Sequence, residues 1–365
     1  MRCGIGSLVV VFAALSFARA DDAEERSAAF VQKIGGRVYR EQGKPGKPVF
    51  AADVFFAKFD GNLKELAGLK NLTKLDLRNK AVGDANLADL AGFSKLQELQ
   101  LDNSKVTAAG LKSLAPLKQL NCISLNGSQL DDAVLQTVRQ MGMLYALNIT
   151  GTKINLQRPK NSQEVVAVAL SGTAVSDKGL KELAEFPNIE RLWLNETKIT
   201  DAGLKELARF PNLKSLTLNN TAITDAGLKE LQGFKNLKSL FLNKTKITDA
   251  GLKTLTSLNL EELRVNETSI SDAGLKSVAQ FKGLQELMLS QTRVTNAGMK
   301  ELGDLKKLGL LDLRKTKVGD VGVRELKSVT SLHTLNLDNS EVTKAGLADL
   351  KKLLPNCRAI NNQAK

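Results

Sequence analysis

The chain contains one histidine, His333, and three cysteines, Cys3, Cys122 and Cys357. A histidine beside a cysteine or serine can serve as the general base of a nucleophile. Cys122 lies far from His333 in sequence, whereas Cys357 is 24 residues away. No third orienting group and no oxyanion-hole sequence accompanies that pair, so no residue is assigned a catalytic role. Zinc requires clustered Cys and His ligands, and these are absent, as are phosphate-binding glycine loops. Asp201, Asp225, Asp249 and Asp272 recur at near-constant intervals. Such spacing spreads carboxylates along an edge rather than gathering them into an acid–base pair or a calcium cage. No cofactor or metal is expected. What remains is chemistry of recognition: one tryptophan, Trp193, together with Phe241, Met288 and Arg264. Aromatic and arginine side chains dominate binding hot spots.

The elements that hold these residues repeat. Residues 189–212 read IERLWLNETKITDAGLKELARFPN, and residues 213–236 read LKSLTLNNTAITDAGLKELQGFKN. The period is 24 with small variations. In this frame units start at Val49, Leu72, Leu96, Leu120, Leu144, Val165, Ile189, Leu213, Leu237, Leu260, Leu284, Leu308 and Leu332. Each unit opens with L-x-x-L-x-L, whose alternation predicts a short strand. It continues with T-D-A-G-L-K-E-L-x-x-F, whose apolar spacing predicts a helix. Either Thr200 or Asp201 suits the N-terminal cap of that helix. A unit this small cannot bury its leucines alone. Stacking sets Leu192, Leu194, Ile199, Leu204, Leu207 and Phe210 against their equivalents in the next unit. The architecture expected is an α/β solenoid, an arc with parallel strands on the concave face and short helices on the convex face.

The motif L-x-x-L-x-L-x-x-T-x-I-T-D-A-G-L resembles the leucine-rich repeats over residues 49–356. It looks most like secreted bacterial repeat proteins of the kind abundant in planctomycetes, and is more distantly similar to the cysteine-containing repeats of F-box proteins. Thr197, Thr221 and Thr245 stand where many members of the family have Asn or Cys. No F-box-like segment precedes the repeats. The resemblance implies the solenoid fold and a role in binding, without naming a ligand.

Columns read down the repeats separate scaffold from surface. Thr152, Thr173, Thr197, Thr221, Thr245, Thr268, Thr292 and Thr316 follow successive strands, where a hydroxyl can bond to the turn backbone. The strand position between the last two leucines carries Trp193, Thr217, Phe241, Arg264 and Met288, and should face solvent on the concave surface. Beside it run Asn195, Asn219, Asn243 and Asn266, read mainly as a ladder between turns. A protein partner on this surface is the leading reading. A carbohydrate or cell-envelope ligand, stacked on Trp193 and Phe241, is the alternative. Were Trp193 fully exposed, Trp193→Ala would cost little stability.

The formal charge is +13. Much of the lysine recurs at one helical position (Lys181, Lys205, Lys229, Lys253, Lys276, Lys300), which reads as a solvated outer face rather than a nucleic-acid surface. Residues 1–20 have a positive start, an apolar stretch from Leu8 to Phe17 and Ala18-Arg19-Ala20, the pattern of a secretory leader cleaved before Asp21. No later segment is apolar enough to cross a membrane, so an exported protein, periplasmic or extracellular, is expected. Residues 21–48 lie outside the period and read as an N-terminal cap, with 357–365 as C-terminal cap and tail. The fifth unit has a normal strand, Leu144 to Ile149, but NLQRPKNSQE (155–164) lacks apolar periodicity and should form no regular helix. Cys122 and Cys357 are expected as free thiols.

Overall fold

A computed structural model describes residues 22–55, 57–78, 81–151 and 158–363. The leader expected at 1–20, Thr152, and positions 155–157 of the irregular stretch lie outside the described residues. The chain divides into two compact units, Met1–Thr150 with Gln157–Ser162, and Gly151–Leu156 with Gln163–Lys365.

The first unit carries a five-stranded sheet: β1 (Arg37–Arg40), β2 (Val49–Asp53), β3 (Lys74–Asp76), β4 (Glu98–Gln100) and β5 (Cys122–Ser124). β1 is antiparallel to β2, and the others are parallel with one strand per repeat. Residues 22–33 form a helix that packs on the first repeats. Glu24 Oε1 accepts the Val49 N–H at 2.9 Å, and Ser27 Oγ accepts the Gly68 N–H at 3.1 Å.

The strand expected at Leu144 to Ile149 is not regular. Leu144–Ala146 is a 3-10 turn, Leu147 makes a single bridge to Ile123, and β6 is confined to Thr150–Gly151. The cause lies in one side chain. In earlier repeats the leucine closing the strand donates to a backbone carbonyl of the next, as Leu101 does to Ser124 at 2.9 Å. The Leu125 N–H donates instead to Asn148 Oδ1 at 3.2 Å, and Asn148 Nδ2 donates to the Leu125 carbonyl at 3.0 Å. The carboxamide of Asn148 thus takes the place of a peptide group and ends the ladder. Beyond it, Ser162–Glu164 is a 3-10 turn.

The second sheet has ten strands. After β6 come β7 (Ala167–Ala169), β8 (Arg191–Trp193), β9 (Ser215–Thr217), β10 (Ser239–Phe241), β11 (Glu262–Arg264), β12 (Glu286–Met288), β13 (Leu310–Asp312), β14 (Thr334–Asn336) and β15 (Arg358–Ile360). From β7 onward each pairs in parallel with the next, in constant register. Leu192, Leu194, Ile199, Leu204, Leu207 and Phe210 are all buried, the stacked core that the repeat pattern predicts. The helices are shorter than the apolar spacing suggests. Asp201–Leu204 is one α turn, and Lys205–Arg209 continues as 3-10.

The cap is Thr200, whose Oγ1 accepts the Ala202 N–H at 3.3 Å. Asp201 serves the next repeat instead. Its Oδ1 accepts the Thr224 N–H at 2.8 Å, and its Oδ2 accepts the Thr224 hydroxyl at 2.5 Å. Asp177, Asp225 and Asp272 grip Thr200, Thr248 and Thr295 in the same way, and Asp249 grips Ser271. The threonine column is equally regular. Thr197, Thr221, Thr245 and Thr268 are buried, and each hydroxyl donates to the carbonyl three residues before it at 2.6–2.7 Å.

Candidate functional site

One side chain per strand builds the open face of the second sheet. Trp193 lies in register with Thr217, Thr217 with Phe241, Phe241 with Arg264, and Arg264 with Met288. All five point to the side opposite the leucine core, because strand side chains alternate between faces. Adjacent strands are spaced by roughly 4.8 Å, so the five form a continuous row. Trp193, Phe241, Arg264 and Met288 are partly exposed.

Thr217 departs from the expectation of solvent exposure: it is only 2 % exposed. It is the smallest member of the row and stands between two aromatic side chains on the flanking strands, which deny it solvent. Asp312, further along the same column, is buried too. Its carboxylate is gripped by Arg314, whose Nη2 lies 2.8 Å from Oδ2.

Arg264 reaches back over β10. Its guanidinium carbon lies 4.2 Å from the centroid of the Phe241 ring, a cation–π contact. On its other side Nη2 lies 3.4 Å from Glu286 Oε2. Two polar atoms of the row are buried without a hydrogen-bond partner, Thr217 Oγ1 and Arg264 Nε.

The asparagine row is drawn into the scaffold. Asn195 Oδ1 accepts the Asn219 N–H at 3.0 Å, Asn219 Oδ1 the Asn243 N–H at 2.8 Å, and Asn243 Oδ1 the Asn266 N–H at 2.8 Å. Asn266 Oδ1 accepts the Ser290 N–H at 2.7 Å. The following residues, Glu196, Asn220, Lys244 and Glu267, adopt left-handed backbone with φ of 53–57°. That conformation turns their N–H groups onto carbonyls of the next repeat, as from Glu196 to Asn219 at 2.9 Å.

His333 and Cys357 precede the paired residues Thr334 and Arg358, so the fold brings them to neighbouring strand positions. The imidazole does not serve the thiol. Its Nδ1 lies 3.0 Å from Thr334 Oγ1, and the ring packs toward Gly309 on the opposite neighbouring strand, where an added Cβ would sit 2.6 Å from Nε2. Burial alone pushes the Cys357 thiol up to about 11. The Cys122 thiol is likewise pushed up to about 11, mainly by burial. Both cysteines are free. Their thiolates are scarce at neutral pH, and thiolate is the nucleophile. Both should react with a disulfide reagent far more slowly than glutathione at pH 8, with rates rising steeply toward pH 11. Glutathione-like rates at pH 8 would contradict that burial.

A smaller cleft of 180 Å³ opens on the first sheet, lined by Tyr39, Asp53, Lys74, Asp76, Glu98 and Gln100. Beside it Arg78 stacks 4.4 Å over Phe55 and grips Asp76, whose hydrogen bond raises the guanidinium pKa. The sequence signal for this pair is an arginine and an aromatic two residues after the strand column, in place of the asparagine. The lysine column Lys181, Lys205, Lys229, Lys253, Lys276 and Lys300 is exposed along the helices. Among the described residues, no three or more Cys, His, Asp or Glu side chains gather as metal ligands, and no helix is long and apolar enough to cross a membrane.

Comparison with known proteins agrees with this geometry. The family described as Leucine Rich repeat matches residues 211–231. No curated protein matches the sequence. Among solved structures, an internalin from Listeria monocytogenes is similar, with a TM-score of 0.51 at 20 % identity, covering 87 % of this chain and 94 % of that one. A leucine-rich-repeat protein of Leptospira interrogans gives a TM-score of 0.44 at 23 % identity, covering 81 % of this chain and 80 % of its own. Constant parallel register, a stacked leucine core, short helices between strands and the internalin likeness make this fold a leucine-rich-repeat α/β solenoid.

Proposed function

We propose that the chain is an exported, non-enzymatic scaffold that binds a protein partner on the open face of its second sheet. The observation that carries this reading is the row Trp193, Phe241, Arg264 and Met288. These partly exposed side chains stand in register on one face, with Arg264 stacked on Phe241. Large apolar and arginine side chains arranged this way have the composition of binding hot spots. The leucine-rich-repeat fold supports the reading, since arrays of this kind present extended binding surfaces. Export rests on the leader pattern of residues 1–20.

The experiment is capture from a cell-envelope extract with the wild-type chain, Trp193→Ala and Lys181→Ala as bait. The expected partner is a protein retained by the wild type and Lys181→Ala and lost with Trp193→Ala. A partner held equally by all three removes the row from the interface. Binding to a glycan array that is abolished by Trp193→Ala would favour the carbohydrate alternative. Because the indole is partly buried, Trp193→Ala should lower stability by about 1–2 kcal/mol, more than a fully exposed side chain would, yet leave the chain folded.

A further inference from the structure

We propose that the partner segment is acidic, and that one of its carboxylates enters between Trp193 and Phe241 to accept hydrogen bonds from the Thr217 hydroxyl and Arg264 Nε. This inference rests on the reading of the same face as a protein-binding surface.

Thr217 behaves unlike the threonine column of the scaffold. Thr197, Thr221, Thr245 and Thr268 are buried, and each donates to a backbone carbonyl. Thr217 is more deeply buried than any of them, and its Oγ1 has no partner. Arg264 Nε is also buried without a partner, although Nη2 of the same guanidinium meets Glu286 at 3.4 Å. Burying a polar group unpaired is costly, so two such groups in one row mark a place where partners arrive from outside.

The two groups belong to β9 and β11, and Phe241 stands on β10 between them. The Arg264 guanidinium leans over the Phe241 ring and so toward β9. The proposed carboxylate would have to displace that ring to meet both donors. The chemistry of that group follows. Thr217 Oγ1 and Arg264 Nε can both donate, and Nε has no acceptor capacity. A carboxylate supplies two acceptor oxygens and the charge that guanidinium favours. Just before β9 and β10, Lys214 lies 3.2 Å from Glu190 and Lys238 lies 3.1 Å from Glu261. Arg264 Nε is thus a charged donor within the row itself. A neutral sugar hydroxyl would gain less from its charge than a carboxylate does.

Trp193 is the sole tryptophan, so its fluorescence reads this site in the intact chain. The probes are a capped peptide of consecutive glutamates, the matching glutamine peptide and a neutral hexasaccharide, titrated at about 0.15 M salt to screen distant charges. The glutamate peptide is expected to shift Trp193 emission, and the glutamine peptide to bind at least about tenfold more weakly, a difference of roughly 1.4 kcal/mol. Thr217→Val should weaken the glutamate peptide by a similar factor while leaving Tm unchanged or raised, because the hydroxyl it removes is unpartnered in the free chain. Arg264→Gln should abolish the preference for glutamate over glutamine. The proposal is overturned by a glutamate peptide that leaves emission unchanged, by equal binding of the two peptides, by wild-type affinity in Thr217→Val, or by a shift with the hexasaccharide alone. If envelope capture still depends on Trp193 while the peptide fails, the protein-binding reading stands and the carboxylate is excluded.

Discussion

Gly227→Ala lowers stability by about 1–3 kcal/mol, and most of that penalty disappears in an Asp201→Ala background. The glycine of each T-D-A-G motif is not there for an unusual backbone angle. It leaves room for the aspartate of the repeat before. An added Cβ at Gly227 would lie 2.9 Å from Asp201 Cγ and closer still to Oδ1. The carboxylate cannot retreat without releasing the Thr224 N–H and hydroxyl that it holds. Alone, Asp201→Ala loses those charge-assisted bonds, at about 1.5–3 kcal/mol. The double variant should cost no more than Asp201→Ala itself, because the methyl then occupies vacated space. Chemical denaturation of the wild type, two single variants and double variant yields the coupling energy. Simple additivity of the two losses would refute the clamp.

The same coupling is visible elsewhere in the chain. Asp84 faces Gly110, Asp177 faces Gly203, and Asp320 faces Gly346. Where the clamp residue is Ala108, the facing position is Val134, and that side chain is buried without conflict. Where it is Gly61, the facing position is Asn86, whose Nδ2 donates to the Gly61 carbonyl at 2.7 Å. In the last repeat Lys344 replaces the aspartate, and among the described residues no helix follows the one it begins. Asn296, an amide of the same shape as aspartate, still faces Gly322, whereas Ala108 and Gly61 face larger residues, as expected if a planar side-chain head and a Cβ compete for one volume.

Fold and scaffold were legible because their determinants lie within one period. The L-x-x-L-x-L strand, the buried threonine and the leucine stack recur often enough that local pattern implies the three-dimensional arrangement. The clamp was not legible in that way. Asp201 and Thr224 are 23 residues apart and meet only when one repeat is laid on the next, so the aspartate read simply as a helix-start residue. Asn148 was hidden for a related reason. A polar residue in the strand column normally faces solvent, and nothing in its identity says that its amide will substitute for a peptide group. The binding row was visible as a break in repetition, because Trp193 and Phe241 interrupt a column of smaller residues. The burial of Thr217 was not, since it depends on the size of neighbours contributed by two other strands.

Leu218→Ala should cost roughly 2–5 kcal/mol and do more than shift one midpoint. Leu218 is fully buried beneath β9, and its N–H donates to the Phe241 carbonyl at 2.8 Å. Its side chain stacks in the same column as Leu194 and Leu242, both also fully buried. The truncation therefore leaves a cavity at the contacts of one repeat with both neighbours, while the backbone ladder stays in place. In a solenoid, stability is close to a sum of repeat terms and nearest-neighbour interfaces. Weakening two adjacent interfaces lets the array unfold in parts rather than as one unit. Hydrogen exchange is the discriminating measurement. In Leu218→Ala the amides of residues 189–241 should lose protection first, while those of 284–336 keep wild-type rates. Uniform loss of protection along the second sheet would show that the array unfolds as a single cooperative block, and that coupling beyond nearest neighbours governs its stability.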